Sequence, residues 1–247
     1  MNKDNLNKFD QEGYFILRNS VNQKTIETFQ EEFERISKTK TPTSKDNYFY
    51  LAHTLSDQFF SFICENPAQS YIDSILGNTC IIHSFNGISL KPNESNPIQN
   101  KIHRDTQRFS RPYLLSIQQI LILDDFTKEN GGTYLLPKSH LRPEKPSDEY
   151  FHENAIQIEA KKGDIVLFDS LTWHKGGVNT TLHQRRALTL VFTRSFMKQQ
   201  IDLTSCLSRE VKNETIRRLL GFNVRVPSSI EEFNLPDSKR LYKPNQG

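Results

Sequence analysis

The chain has 247 residues, enough for one sizeable domain with its own core, with 35% hydrophobic against 25% charged. A net charge of +3, without a Lys/Arg run interleaved with aromatics, excludes the electrostatic footprint of a nucleic-acid-binding protein. No apolar run approaches the roughly 18 residues of a membrane span, and the polar opening MNKDNLNKFDQEG has no apolar signal-peptide core. Three cysteines without metal-ligand spacing, Cys64, Cys80 and Cys206, read as free thiols in a reducing compartment, so a cytoplasmic protein is expected.

Residues 9–18 read as a turn punctuated by Gly13, then a short strand over Tyr14–Leu17. Next, Ile26, Phe29, Phe33 and Ile36 recur at helical period with Asn22 placed to cap, which predicts an amphipathic helix. Residues 56–76 read as two shorter helices divided near Asn66-Pro67, the second ended by Gly77. From residue 79 the chain becomes a series of short β-rich runs (79–90, 111–126, 131–137, 154–160, 163–170 and 185–194) separated by Gly, Pro, Asn and Asp clusters. Many short strands with no long helix between them argue a sandwich or barrel, not a parallel α/β sheet. The expected fold is mainly β with flanking helices around a double-stranded β-helix, the cupin-like jelly roll. Helices would occupy about 20–77, the jelly roll about 79–196 and a C-terminal extension about 197–247, in a single domain. Residues 141–154 form a polar, Pro-bearing insertion, 202–222 could be helical, and 224–242 is mostly loop.

Chemistry enters at His103-Arg104-Asp105. In extended chain, residues i and i+2 project to one face, so an imidazole and a carboxylate can converge on one ion. Seven histidines among 29 acidic residues in 247 positions make about one such pair expected by chance, so the pair alone is a weak signal. The segment GDIVLFDSLTWHKGGVNTTLHQRRALTLVF adds His174, between two apolar strands and 71 residues beyond His103. Two histidines and one carboxylate with open positions suit an iron(II) that must also bind oxygen and a bidentate co-substrate. Arg185 follows His174 by 11 residues, and its planar guanidinium can clamp a carboxylate at two points. Taken singly, His174 reads equally well as a turn histidine and Arg185 as a solvated charge.

Over roughly residues 8–195 the sequence resembles the phytanoyl-CoA dioxygenase family of iron(II)/2-oxoglutarate oxygenases. Phe9–Arg18 with its following helix, His103-Arg104-Asp105, LILDDFTKENGGTYLLPKSH and HKGGVNTTLHQRRAL resemble four of its motifs in order. The resemblance implies iron ligation by His103, Asp105 and His174, with iron(II), 2-oxoglutarate and O2 as cofactor and co-substrates. It implies that Arg185 binds the far carboxylate of 2-oxoglutarate, that Thr181 supports that salt bridge, and that Gln118, with Ile120, lines the co-substrate pocket. Arg186 points to the opposite face, and Lys91 and His83 are further candidates to face the site. Gly131-Gly132 makes a turn that His140 closes without touching metal. Halogenating relatives lack the carboxylate, so Asp105 implies hydroxylation over halogenation.

One departure is Lys175-Gly176-Gly177, where the family often has a small Gly-Ser pair after its distal histidine. The substrate expected is a small polar or amphiphilic molecule, an amino acid or natural-product intermediate, selected by residues 40–55, 141–154 and the C-terminal tail. Neither nucleic acid nor membrane is an expected partner, and the oligomeric state is open. Two other classes fit part of the pattern: a zinc-type hydrolase on the same three ligands, which needs no Arg185 clamp, and a non-catalytic jelly-roll binding module.

Overall fold

Asn2 and Asn22 each accept a backbone N–H from the first turn that follows them, starting helices α1 (Lys3–Glu12) and α2 (Gln23–Lys38). The computed structural model describes residues 2–39, 44–45, 48–93, 100–236 and 239. Helix α1 replaces the turn expected over residues 9–12. Its one buried side chain is Phe9, too little for an apolar stripe, and it ends at Gly13, whose φ of 85° suits glycine. In α2 the four residues at helical spacing, Ile26, Phe29, Phe33 and Ile36, are all buried. Strand β1 (Tyr14–Leu17) lies between the two helices.

Backbone strand β2 (Ser44–Lys45) and β3 (Tyr48–Phe49) precede α3 (Ala52–Leu55), α4 (Asp57–Glu65) and α5 (Gln69–Leu76). The break near Asn66-Pro67 is built. Asn66 accepts the Ala68 N–H and donates to the Gln119 amide oxygen at 2.8 Å, tying the helices to a central strand.

Long antiparallel strands follow: β4 (Ile81–Leu90), β5 (Ser116–Ile122), β8 (Ile165–Asp169) and β10 (Arg185–Thr193). The main sheet has the order β1-β8-β5-β10-β4-β3-β2. Shorter strands β6 (Tyr134–Leu135), β7 (Ile156–Gln157) and β9 (His174–Lys175) form a second sheet, β7-β6-β9. Alternate residues of the main sheet serve two cores, and the two sheets form the jelly roll. Ile117, Leu121, Ile165, Leu167, Leu188 and Leu190 pack on the helices, in a core that extends from Phe9 to Leu220. Ile122, Val166, Phe168 and Ala187 face the second sheet with Phe126, Leu135, Ile158 and Ala160. With both faces covered, β8 is buried at every position and reads as a continuous apolar run.

The insertion holds a helix that its polarity hides: Ser147 caps α6 (Asp148–Asn154), and buried Phe151 packs with Leu136 and Trp173. Within the stretch 202–222 only α7 (Glu214–Leu219) is α-helical, and α8 (Ile230–Phe233) is a single turn. No helix among the described residues is long and apolar enough to cross a membrane.

Candidate active site

His103 and His174 face each other as an antiparallel pair. The His103 N–H donates to the His174 carbonyl at 2.9 Å, and the His174 N–H returns to His103 at 2.8 Å. The two imidazoles therefore lie side by side, 4.2 Å between ring centroids. Two residues on, Asp105 and Thr106 both donate their N–H to the Ser170 carbonyl, at 3.0 and 3.1 Å, which docks the His-x-Asp segment onto the end of β8.

Each imidazole is also oriented. His103 Nδ1 lies 2.8 Å from the Lys101 carbonyl and His174 Nδ1 2.9 Å from the Thr172 carbonyl. Carbonyls only accept, so both Nδ1 atoms carry the proton and both Nε2 lone pairs are free for an ion. Those Nε2 atoms stand 3.8 and 3.5 Å from the Asp105 carboxylate oxygens. One donor atom from each of the three residues lies within 4.8 Å of the others, the spacing of a metal-binding group. Burial pushes the His174 imidazole below its ordinary range, against the opposing pull of Asp105. The Phe168 ring meets it edge-on at 5.0 Å.

These three side chains line a cavity of about 740 Å3 that also contains Arg185. Arg185 begins β10 and is 6% exposed, its guanidinium 4.1 Å from the centroid of Phe126. Its Nε is buried without a hydrogen-bond partner among the described residues. Burial pushes its pKa down to about 10, opposed by the charge of Asp124. That carboxylate is committed elsewhere: it takes Arg186 Nε at 2.7 Å and Arg186 Nη2 at 2.8 Å. A buried cation without an acceptor is costly, and an anion entering the cavity relieves that cost.

The strand alternation sorts the other candidates. Gln118, Ile120 and His83 line the same cavity, and burial lowers the His83 pKa. Arg186, one residue out of phase with Arg185, turns away to Asp124 and Glu34. Thr181 lies in the turn before β10, where its hydroxyl donates to Asn179 Oδ1 at 2.7 Å; neither it nor Lys91 is among the cavity residues. His140 places Nε2 3.0 Å from the Asp10 carbonyl and packs against Gly13, tying α1 to the turn after β6.

The structure adds Tyr48, Asn86, Arg108, Thr189 and Gln200 to the cavity wall. Thr189 was open to discovery, since it follows Arg185 at the period-2 spacing of one strand face; Arg108 and Gln200 carry no such signal. Of the segments expected to select substrate, among the described residues only Tyr48 from 40–55 and Met197 and Gln200 from the C-terminal extension reach the cavity, and nothing does from 141–154. Helix α6 instead packs behind the site through Phe151.

The jelly roll is that of solved 2-oxoglutarate-dependent enzymes. It matches HygX from Streptomyces hygroscopicus, solved with nickel and 2-oxoglutarate bound, with a TM-score of 0.66 at 12% identity, over 81% of this chain and 89% of that one. It also matches SnoN, a non-haem α-ketoglutarate-dependent epimerase from nogalamycin biosynthesis, with a TM-score of 0.63 at 15% identity, over 78% and 82% of the two chains. Within that class, the chain belongs to the phytanoyl-CoA dioxygenase family, whose model matches residues 9–187. Dioxygenases of this family use iron(II), 2-oxoglutarate and O2. An uncharacterised protein of Mycobacterium tuberculosis is 38% identical over 196 residues, covering 76% of this chain and 72% of its own length.

Proposed function

We propose that this chain is an iron(II)- and 2-oxoglutarate-dependent oxygenase that hydroxylates an unactivated C–H bond of a small polar or amphiphilic molecule, an amino acid or a natural-product intermediate. In that reaction one atom of O2 enters the product hydroxyl and the other enters succinate, formed from 2-oxoglutarate with loss of CO2. His103, Asp105 and His174 hold the metal, and Arg185 receives the far carboxylate of 2-oxoglutarate. Gln118, on the neighbouring strand face, is a further contact for the co-substrate. The helices, jelly roll and C-terminal segment act as one catalytic domain, a reading supported by the core that runs from Phe9 to Leu220.

The observation that carries this reading is the buried, acceptor-free Arg185 in the same cavity as the three-donor face. Bound iron supplies oxygen activation coupled to decarboxylation of the keto acid. The protein's part is orientation and exclusion of water. The two Nδ1 contacts aim both imidazoles, Phe168 packs on one of them, Phe126 lies against the guanidinium, and Ile120 and Ala187 add apolar surface to the same cavity wall. Asp105 occupies the third ligand position, which favours hydroxylation over halogenation. HygX, which is also solved with hygromycin B bound, and the epimerase SnoN lend support to a natural-product substrate. A zinc-type hydrolase would have no use for Arg185, and a binding module none for three oriented donors.

Anaerobic addition of iron(II) and 2-oxoglutarate tests the reading directly. A weak visible charge-transfer band of the chelate is expected in the wild-type protein and lost in Asp105→Ala and His174→Ala. A wild-type protein that gives no band where a known member of the class does would overturn it.

A further inference from the structure

Among the described residues, the ionisable groups lining the cavity are His83, His103, His174, Asp105, Arg108 and Arg185, besides the phenol of Tyr48. On the reading proposed above, a divalent metal, the Asp105 carboxylate, doubly charged 2-oxoglutarate and the Arg185 cation sum to zero. His83 is kept neutral by burial, and burial also holds the Tyr48 phenol protonated. One full charge is left over, on Arg108.

Arg108 sits on the loop that leaves Asp105, exposed to solvent at the cavity. The other two arginines of that loop are engaged. Arg104 donates to the Pro143 and Gln107 carbonyls, and Arg111 pairs with the buried carboxylate of Asp169. Arg108 has no hydrogen-bond or ion-pair partner among the described residues. A guanidinium left free on a cavity wall, beside a site whose other charges cancel, calls for an anion from the ligand.

We infer that Arg108 anchors a carboxylate of the substrate, so that the molecule oxidised is an organic acid held by its charged end while a carbon further along reaches the metal face. The inference rests on the oxygenase reading for the charge balance and for the identity of the reacting carbon, whereas the unpaired Arg108 guanidinium on the cavity wall does not depend on it. A single guanidinium fits a single carboxylate at two points. A coenzyme A thioester, with several phosphate charges, would need several cations, and no lysine lines the cavity among the described residues. Beyond the charge, the wall alternates Asn86 and Gln200 with Ile88, Leu115 and Met197, which suits an acid with an amphiphilic body.

The test is calorimetric binding of matched pairs, octanoate against octanamide and N-acetyl-leucine and N-acetyl-phenylalanine against their amides. The protein is loaded anaerobically with iron(II) and 2-oxoglutarate, so that the metal and Arg185 are already engaged, and the chelate band is recorded on the same samples. At least one acid is expected to bind about tenfold more tightly than its amide. Arg108→Gln should remove that preference, and Arg108→Lys, which keeps the charge but not the two-point geometry, should retain part of it. If no acid surpasses its amide in any pair, or if Arg108→Gln keeps the preference, the inference fails. A missing chelate band would instead remove the oxygenase reading; the comparison is then repeated on metal-free Arg185→Met protein, where an acid preference that Arg108→Gln removes supports the inference, and an absent preference, or one that Arg108→Gln leaves intact, overturns it.

Discussion

The guanidinium of Arg104 lies 5.2 Å from the centroid of the Trp173 ring, a cation–π contact between the residue flanked by His103 and Asp105 and the residue before His174. Arg104 also donates to the Pro143 carbonyl at 3.2 Å and the Gln107 carbonyl at 2.8 Å, so one side chain braces three segments behind the donor face. Removing such support typically weakens metal affinity by tenfold or more. Arg104→Ala is therefore expected to weaken iron(II) binding about tenfold with little loss of folded protein, and Arg104→Lys to recover only part. Trp173, the sole tryptophan, offers the readout: iron(II) titration followed by its fluorescence. An unchanged midpoint in Arg104→Ala would show that the pair is incidental to the site.

Arg185 should trade stability for binding. Its guanidinium is buried, and its pKa of about 10 keeps it cationic at neutral pH without a described acceptor. Arg185→Met removes that uncompensated charge at similar volume, so the ligand-free variant should gain about 1–2 kcal/mol, seen as a Tm rise of roughly 2–8 °C. Saturating 2-oxoglutarate at a hundredfold over its Kd should stabilise the metal-loaded wild type by about 2.7 kcal/mol. The variant should show little of that gain. A lower Tm for ligand-free Arg185→Met, with the 2-oxoglutarate effect intact, would contradict both halves.

How much of this was legible in the sequence depended on periodicity. Ile26, Phe29, Phe33 and Ile36 announce α2 because one face of that helix meets the core and the other meets water. The alternation in β10 separates Arg185 from Arg186, and the structure sends them to opposite faces. Helix α1 was illegible because it rests on a cap and a C-terminal glycine, with only Phe9 buried. Strand β9 is two residues long, so its pairing with His103 is a tertiary fact that no local pattern encodes. The donor trio was readable as residue types at suggestive spacing, whereas the carbonyl contacts that aim each Nε2 were not.

Gly177 answers the departure noted after the distal histidine. A Cβ there would lie 2.7 Å from the Gly131 Cα and 2.8 Å from the Gly132 carbonyl oxygen, so the two glycine pairs form a backbone-to-backbone contact. Gly177→Ala must push these segments apart, at a cost of about 1–3 kcal/mol. The displacement would propagate to β9 and His174, three residues away. Urea unfolding should show the loss of stability, and iron(II) affinity should fall with it. Wild-type stability in the variant would mean that the contact yields without strain.

His53 gives the fold a pH dependence separable from the site. It is fully buried on α3, stacked at 11° and 6.2 Å on Phe85, with neither ring nitrogen partnered among the described residues. Burial holds its pKa down to about 4, against about 6.5 in an unfolded chain. Above pH 6.5 the residue is neutral in both states and contributes no pH dependence. As the pH falls below 6.5 the unfolded chain takes up a proton that the folded chain refuses until about pH 4. Folding stability should therefore drop through that window, by up to about 3 kcal/mol from this residue. His83, His140 and His174 are also shifted downward by burial, so the wild-type curve alone cannot isolate His53. The comparison with His53→Phe can, because the aromatic contact with Phe85 is retained and the titration is not. Urea unfolding at pH 7 and pH 4.5 should show the variant losing less stability than wild type over the interval. Equal losses in the two proteins would mean that His53 finds water or a partner when charged, and that its burial does not control its protonation.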